Sequence, residues 1–311
     1  MTGIDWQRTT MVGIAPDAIA KHVAAPLLGA ILEQGFEPIR YRLTDPGPDE
    51  IDELYRTSIE QVWETYRYRA LDRLFEFGPT LLVLLRDVSG RAPGETHAHM
   101  HRLKGSGDLH AVPPDTLRRR FGAVNIMLSL MHSSASPEDA EAETRIMFGR
   151  SLLAGDPDEL DAQVEQPHVL EFARFVQSGY PRETRDFEDC LSGLRARIVS
   201  ALWELLAPEG RRLAVRLEDE GALAAAGAGA RIAEHLRPDC EAALVAALEC
   251  DFVPGTMPMP PERIWRLLAG YGVQVDRWEE LVLGSSAYFR PFRKHELTPS
   301  LEAQLERPGP R

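Results

Sequence analysis

The sequence has few cysteines, no long apolar run and no excess of positive charge, and each shortage removes a class of protein. Its 311 residues include three cysteines. Cys190, Cys240 and Cys250 are odd in number and show no metal-ligand spacing, which argues against a disulfide framework and leaves reduced packing residues. The longest apolar stretches, such as Thr80 to Leu85 and Ala242 to Leu248, fall far short of the roughly 20 residues a bilayer span needs. The opening MTGIDWQRTT has no basic region leading into an apolar run, so no secretory signal is expected and the reading is of a cytoplasmic protein that does not engage a membrane. A formal net charge of −13 argues against a general nucleic-acid binder, because nonspecific affinity comes largely from neutralising phosphates with Lys and Arg. A local basic pocket for a small anion remains open. There is no internal repeat and no low-complexity tract.

What remains is an ordinary folded composition, 44% hydrophobic and 27% charged, long enough for two domains. The first half alternates strand-like and helix-like segments. Met11 to Ile14 is a short apolar run, and Ala24 to Gln34 is amphipathic and closed by Gly35. Ile39, Tyr41 and Leu43 alternate with polar neighbours as a half-buried strand does. Pro48 to Arg56 and Ile59 to Phe75 read as helices, and Gly78-Pro79 then opens a strongly apolar central strand, Thr80 to Val88. Residues 94 to 104 read as a helix, Gly105 to Asp115 as a long loop, and Ala123 to Met131 as a strand that delivers His132 at its end. Ser136-Pro137-Glu138-Asp139 carries the side-chain acceptor, first-turn proline and acidic first turn of a helix start. The order is β-α-β-β-α-β, a ferredoxin-like α+β layer with one antiparallel sheet and helices on one face, expected over residues 1–150.

From about residue 151 to 311 only helix-period segments recur, at His168 to Val176, Arg182 to Leu206, Arg211 to Glu218, Asp239 to Leu248, Glu262 to Ala269 and Asp276 to Leu283. An all-helical C-terminal domain of unassigned role is expected. Trp203, Trp265 and Trp278 fall on apolar helix faces as core or interface residues, Ala222 to Ala230 reads as a weak helix or hinge, and Thr298 to Arg311 reads as a frayed tail.

Several short motifs in the first half fall in one order: Thr10 to Asp17 with its Ala15-Pro16-Asp17 ending, Tyr55, Gly78-Pro79, Thr116-Leu117-Arg118, His132-Ser133-Ser134-Ala135 and Glu143. Together they resemble the nucleoside diphosphate kinase superfamily, over residues 8 to about 150. The resemblance implies ping-pong phosphoryl transfer, with His132 accepting a phosphoryl group from a nucleoside triphosphate and passing it to a diphosphate. Imidazole suits that role because its neutral form is nucleophilic near pH 7 when an acceptor holds one ring nitrogen. Glu143 is the implied orienting acceptor and Ser134 its support.

The resemblance further implies nucleotide or phosphate contacts at Arg118, Tyr55, Ser129, and His101 or Arg102, with Lys104 as a possible additional cation, and Mg2+ arriving with the nucleotide. It also implies a homo-oligomer, a dimer being the simplest.

The chain departs from the family at the grip on the nucleotide. Ala15 stands where the family has a lysine, Ser129 where it has an asparagine, Gly107 where it has a threonine, and Ala135 where it has an aspartate. Loss of one preorganised cation costs on the order of 100- to 1000-fold in rate. Arg118, Arg119 and Arg120 are candidates to compensate. The expectation is therefore an atypical phosphotransferase with altered or weakened nucleotide specificity. The alternatives are a non-catalytic module that binds a nucleotide or partner, and a pocket remodelled for another phosphorylated substrate.

Each feature also has a plainer reading: His132 as a polar strand end, and Arg118 to Arg120 as a solvated helical turn. His97 and His101 lie one helical turn apart but without a carboxylate or cysteine at a diagnostic spacing, so surface histidines rather than a protein-held metal are expected.

Overall fold

The computed structural model describes residues 4–56, 65–149, 165–238 and 240–293. Residues 57–64 (which include the start of the expected helix Ile59 to Phe75), Asp239 and the tail Thr298 to Arg311 lie outside the described residues. Contacts divide the chain into two compact units, with the change between Thr184 and Arg185.

The first unit runs β1 (Thr9–Ile14), α1 (Pro16–Ala20), α2 (Ala24–Leu32), β2 (Phe36–Thr44), α3 (Pro48–Leu54), α4 (Thr65–Phe77), β3 (Thr80–Asp87), α5 (Glu95–Lys104), α6 (Leu117–Arg120), β4 (Met131–Ser133), α7 (Pro137–Phe148) and α8 (Gln166–Ser178). The strands form one antiparallel sheet in the order β2-β3-β1-β4, which is the ferredoxin-like arrangement. The two most apolar strands take the centre. All six residues of β1 are buried, and Leu81 to Leu85 of β3 are at most 1% exposed. Pro38 is tolerated because β2 is an edge strand, and the register slips there between Pro38 and Arg40.

Helices cover both faces of the sheet rather than one. Met11, Leu82 and Leu84 pack with Met147 and Phe148 of α7, while Tyr41, which faces the other way, meets Phe172 of α8 with ring centroids 5.0 Å apart. A central pair of strands buried on both sides needs that second layer. Because α8 packs on α2 and β2, the first compact unit extends to Thr184, past the boundary expected at residue 150. Gly35, which ends the α2 segment, sits at φ +85, and a Cβ there would lie 2.7 Å from the Cβ of Ser89. Only glycine fits that turn.

The expected strand from Ala123 to Met131 is shorter than its apolar pattern suggests. The side-chain oxygen Oδ1 of Asn125 accepts from the backbone N–H groups of Met127 and Leu128, each at 2.9 Å, and curls the segment into a turn. Leu130 then takes φ +70, and only Met131–Ser133 pairs with β1.

The second unit contains α9 (Phe187–Ala201), a 3-10 turn at Trp203–Leu205, α10 (Pro208–Asp219), α11 (Ala228–Ala233), α12 (Ala242–Glu249), α13 (Pro261–Gly270) and α14 (Arg277–Ser286). Trp265 stacks on Phe252 with centroids 5.2 Å apart, and Trp278 is buried with its indole N–H donating to the carbonyl of Arg185. Trp203 is only half-buried. Arg195 is fully buried, donates to the carbonyls of Leu223, Ala225 and Cys250, and pairs with Asp251. Cys190 and Cys250 are buried. Among the described residues no helix is long and apolar enough to cross a membrane.

Candidate functional site

Edge strand β4 and helix α7, which follow each other directly, build the centre of the site. Ser136 caps α7 by accepting from the N–H of Asp139 at 3.1 Å, and Pro137 opens its first turn. The cap fixes where the helix starts and therefore places Glu143 two turns in, opposite β4. Nε2 of His132 lies 3.0 Å from Oε2 of Glu143, and the hydroxyl of Ser134 donates to the same oxygen at 2.6 Å. An ionised carboxylate only accepts, so the ring proton sits on Nε2 and the lone pair is left on Nδ1. The ring side chain is 26% exposed and Glu143 12%. Burial alone would push the Glu143 carboxyl up, but the neighbouring His132, the bonds from His132 and Ser134, and Lys104 outweigh it and hold it below the ordinary range. The Tyr55 ring, at the end of α3, meets the imidazole edge-on with centroids 5.7 Å apart. Burial and Glu143 push its phenol well up, so it keeps its proton.

A second layer fixes the backbone that presents His132. Asp17, buried in α1, accepts from the N–H of Leu130 at 3.0 Å, and Ala15 N–H donates to the carbonyl of Leu130 at 2.9 Å. A buried leucine at positive φ costs on the order of 1–3 kcal/mol, and these two bonds hold it there. Burial raises the Asp17 carboxyl to about 6. This carboxylate is a site feature that sequence reading missed, although its place in the Pro16-Asp17 motif was a signal.

On the outer edge of β4, two buried cations cap main-chain carbonyls. Arg118 donates to the carbonyls of Met131 at 2.8 Å and Gly105 at 3.1 Å, and Lys104 Nζ donates to the carbonyl of Ser133 at 3.3 Å. Burial, with Arg118 close by, depresses the Lys104 ammonium to about 7, and burial depresses Arg118 to about 10.

His132, Glu143, Tyr55, Arg118 and Ser129 all border one cavity of about 440 Å3. His101 and Arg102 do not border it and lie exposed on α5, and Lys104 sits behind Ser133 rather than in the cavity wall. Arg119 donates to the carbonyl of Val112, and the Arg120 guanidinium lies over the Phe121 ring, 5.5 Å from its centroid. Neither borders the cavity. Ala15 contributes no charge to the wall, and at Gly107 a Cβ would fall 2.5 Å from Cγ1 of Ile126, whose side chain fills that space.

Much of the wall is apolar, including Leu54, Leu71, Leu74, Phe75, Leu82 and Met147. Its described charged groups are Arg118, Asp139 and Glu143. Asp139, an acid of the first turn of α7, is thus also part of the wall. Among the described residues no group of three or more His, Cys, Asp or Glu could hold a metal ion. His97 is buried while His101 is exposed, so the two do not converge on a shared ligand position.

The arrangement presents a nitrogen lone pair on a ring whose other nitrogen is held by Glu143, in the wall of a cavity with many apolar lining residues. The family model described as nucleoside diphosphate kinase matches residues 8–152. A nucleoside diphosphate kinase of Anaeromyxobacter sp. (strain K) is 26% identical over 143 residues, covering 46% of this chain and 88% of the relative. One from Bordetella avium (strain 197N) is 29% identical over 147 residues, covering 46% and 92%. Among solved structures, the nucleoside diphosphate kinase of Aquifex aeolicus is similar at 22% identity and a TM-score of 0.39, over 46% of this chain and 95% of that one. The enzyme from Encephalitozoon cuniculi is similar at 17% identity and a TM-score of 0.40, over 50% and 96%.

Proposed function

The N-terminal half of the chain is a domain of the nucleoside diphosphate kinase superfamily, and on that premise we propose that the protein is a phosphotransferase that carries a phosphoryl group on Nδ1 of His132, with a nucleotide grip weaker than the family's. The observation that carries this reading is the His132–Glu143–Ser134 chain of contacts, at 3.0 and 2.6 Å. With Nε2–H donating to Glu143, Nδ1 is the only ring atom able to attack phosphorus. As the N–P bond forms the ring becomes cationic, and the ionised Glu143 beside it stabilises that charge without reorganising. Ser134 keeps the carboxylate turned toward the ring. Among the described residues Arg118 is the cationic side chain that borders the same cavity, where its guanidinium can meet phosphoryl oxygens.

The family uses Mg2+ with its nucleotides. In this chain magnesium would be held by the substrate's own phosphates, within reach of Asp139, and would neutralise their charge.

Weak grip follows from the same wall. Ala15 offers no charge, and both terminal nitrogens of Arg118 already donate to main-chain carbonyls. That observation also favours a second reading, a binding module that does not turn over. One experiment separates them. The protein is incubated with radiolabelled ATP or GTP and magnesium, and acid-labile, base-stable label is followed on wild type and on His132→Ala. Slow label confined to wild type is expected. Wild type that takes no label from any phosphoryl donor would sink the phosphohistidine reading. Ala15→Lys should raise labelling by ATP by about one to three orders of magnitude.

A further inference from the structure

We propose that the phosphoryl donor to His132 is an acyl phosphate with a compact apolar acyl group, which occupies the cavity beside the ring; this rests on the phosphohistidine reading above. Two independent features of the cavity point to it: charge and polarity.

A triphosphate brings several negative charges into one place. The described charged residues of this wall are one guanidinium and two carboxylates, Asp139 and Glu143, so a polyphosphate finds a single protein cation here and depends on its magnesium for the rest of its charge balance. A single phosphoryl group is the negative charge that one guanidinium can balance. The body of the substrate must then suit Leu54, Leu71, Leu74, Phe75, Leu82 and Met147, which come from α3, α4, β3 and α7 and line the same cavity. A nucleoside brings hydroxyls and ring nitrogens that lose their water there, and among the described residues the uncharged polar side chains of the wall besides His132 are Tyr55, Thr80 and Ser129. A short aliphatic or aromatic group gives up no hydrogen bonds to water on entering and gains by burial.

Chemistry narrows the class further. The Nδ1 lone pair forms the N–P bond, the bond between phosphorus and the acyl oxygen breaks, and its electron pair leaves on a carboxylate that needs no proton. The imidazolium that results keeps its Nε2 proton, paired with Glu143. A simple phosphate ester would leave as an alkoxide and need an acid. Glu143 is held ionised and Tyr55 holds its proton tightly, so neither serves. An acyl phosphate is also an anhydride, and its cleavage can drive formation of a reactive N–P bond.

The test uses the full chain with acetyl, butyryl and hexanoyl phosphate, and with ATP and GTP plus magnesium, following His132 phosphorylation by intact mass and phosphorus NMR. Labelling efficiency should rise about fourfold for each methylene added until the cavity is full, with butyryl phosphate at least tenfold faster than either nucleotide. Leu71→Gln should reduce that chain-length dependence. Should this variant not fold, the series on wild type still decides. A flat series on wild type overturns the proposal, and so does ATP or GTP labelling as fast as the best acyl phosphate, although in that case the phosphohistidine reading stands. No label from any of these donors, nor from the small donor phosphoramidate, overturns both.

Discussion

Removing the Glu143 carboxylate while keeping the fold perturbs the site at its most informative bond. Its Oε2 accepts from His132 Nε2 at 3.0 Å and from Ser134 Oγ at 2.6 Å. A hydrogen bond to a charged group is worth about 1.5–3 kcal/mol, so Glu143→Ala should slow phosphorylation of His132 by about 10- to 150-fold. Ser134 touches the ring only through Glu143. Ser134→Ala should therefore cost about 0.5–1.5 kcal/mol, about 2- to 10-fold in rate, through a less well held carboxylate. Once Glu143 is gone the serine has nothing left to hold, so the double variant should match Glu143→Ala alone. The assay is single-turnover phosphorylation by phosphoramidate, which avoids any dependence on the natural donor. Phosphorus NMR adds a readout that stability alone would not move: wild type should carry phosphorus on Nδ1, whereas Glu143→Ala, with Nε2 released, should give both isomers. Glu143→Gln keeps the side-chain shape and controls for packing. Costs that multiply in the double variant, or a single isomer in every protein, would refute the chain of contacts as the basis of reactivity.

Lys104 has a folded-state value of about 7 against about 10.4 for an unfolded chain. Between those values the unfolded chain binds the extra proton, so stability should rise with pH from about 7 to 10, the full penalty being present below pH 7. Lys104→Met should remove that slope and add about 2–4 kcal/mol at pH 6.5, measured by urea unfolding at pH 6.5 and 9.5; parallel wild-type and variant profiles would contradict it. Asp17 is raised from 3.8 to about 6, so here the folded chain holds the extra proton, and stability should fall as pH rises across that window. Asp17→Asn keeps an acceptor for Leu130 N–H and should flatten the profile between pH 4 and 6, with a gain of about 1–2 kcal/mol at pH 7; a profile as steep as wild type counts against it. In the second unit, Arg195→Leu strands Asp251 and three carbonyls, and should destabilise by about 3–5 kcal/mol. An unchanged melting temperature would show that the buried ion pair is dispensable.

The strands with unbroken apolar runs were legible because burial on both faces leaves no other reading for Thr80 to Leu85. Helix α7 was legible down to its cap, since Ser136, Pro137 and the following acids act through local contacts. Ala123 to Leu130 was not. Its apolar side chains carry a strand's pattern, but Asn125 turns the backbone and Leu130 enters a left-handed conformation that depends on Asp17, more than a hundred residues away in the chain. That the compact unit runs on past residue 150 to Thr184 was not legible for a similar reason. Nothing inside α8 says that its partners are α2 and β2 instead of the helices after it. At the site, the family resemblance pointed to His132, Ser134 and Glu143, which meet, and equally to His101 or Arg102, which lie on the exposed side of α5.

That contrast has a physical origin. His132, Ser134 and Glu143 lie within twelve consecutive residues of an edge strand, a capped turn and a helix, so the geometry between them is set by local backbone bonds and survives changes elsewhere. The wall that would hold a substrate is assembled from β1, α3, α4, β3, the loop after α5, α6, the turn before β4 and α7, pieces drawn from distant parts of the chain. Ala15 removes a charge, Ile126 closes over Gly107, and Leu71 with Leu74 presents an apolar surface. None of these touches the His132–Glu143 bond. A site built this way can keep its nucleophile while exchanging its substrate, and the single guanidinium among the described residues of the wall is the basis on which we propose a donor carrying less charge than a nucleoside triphosphate.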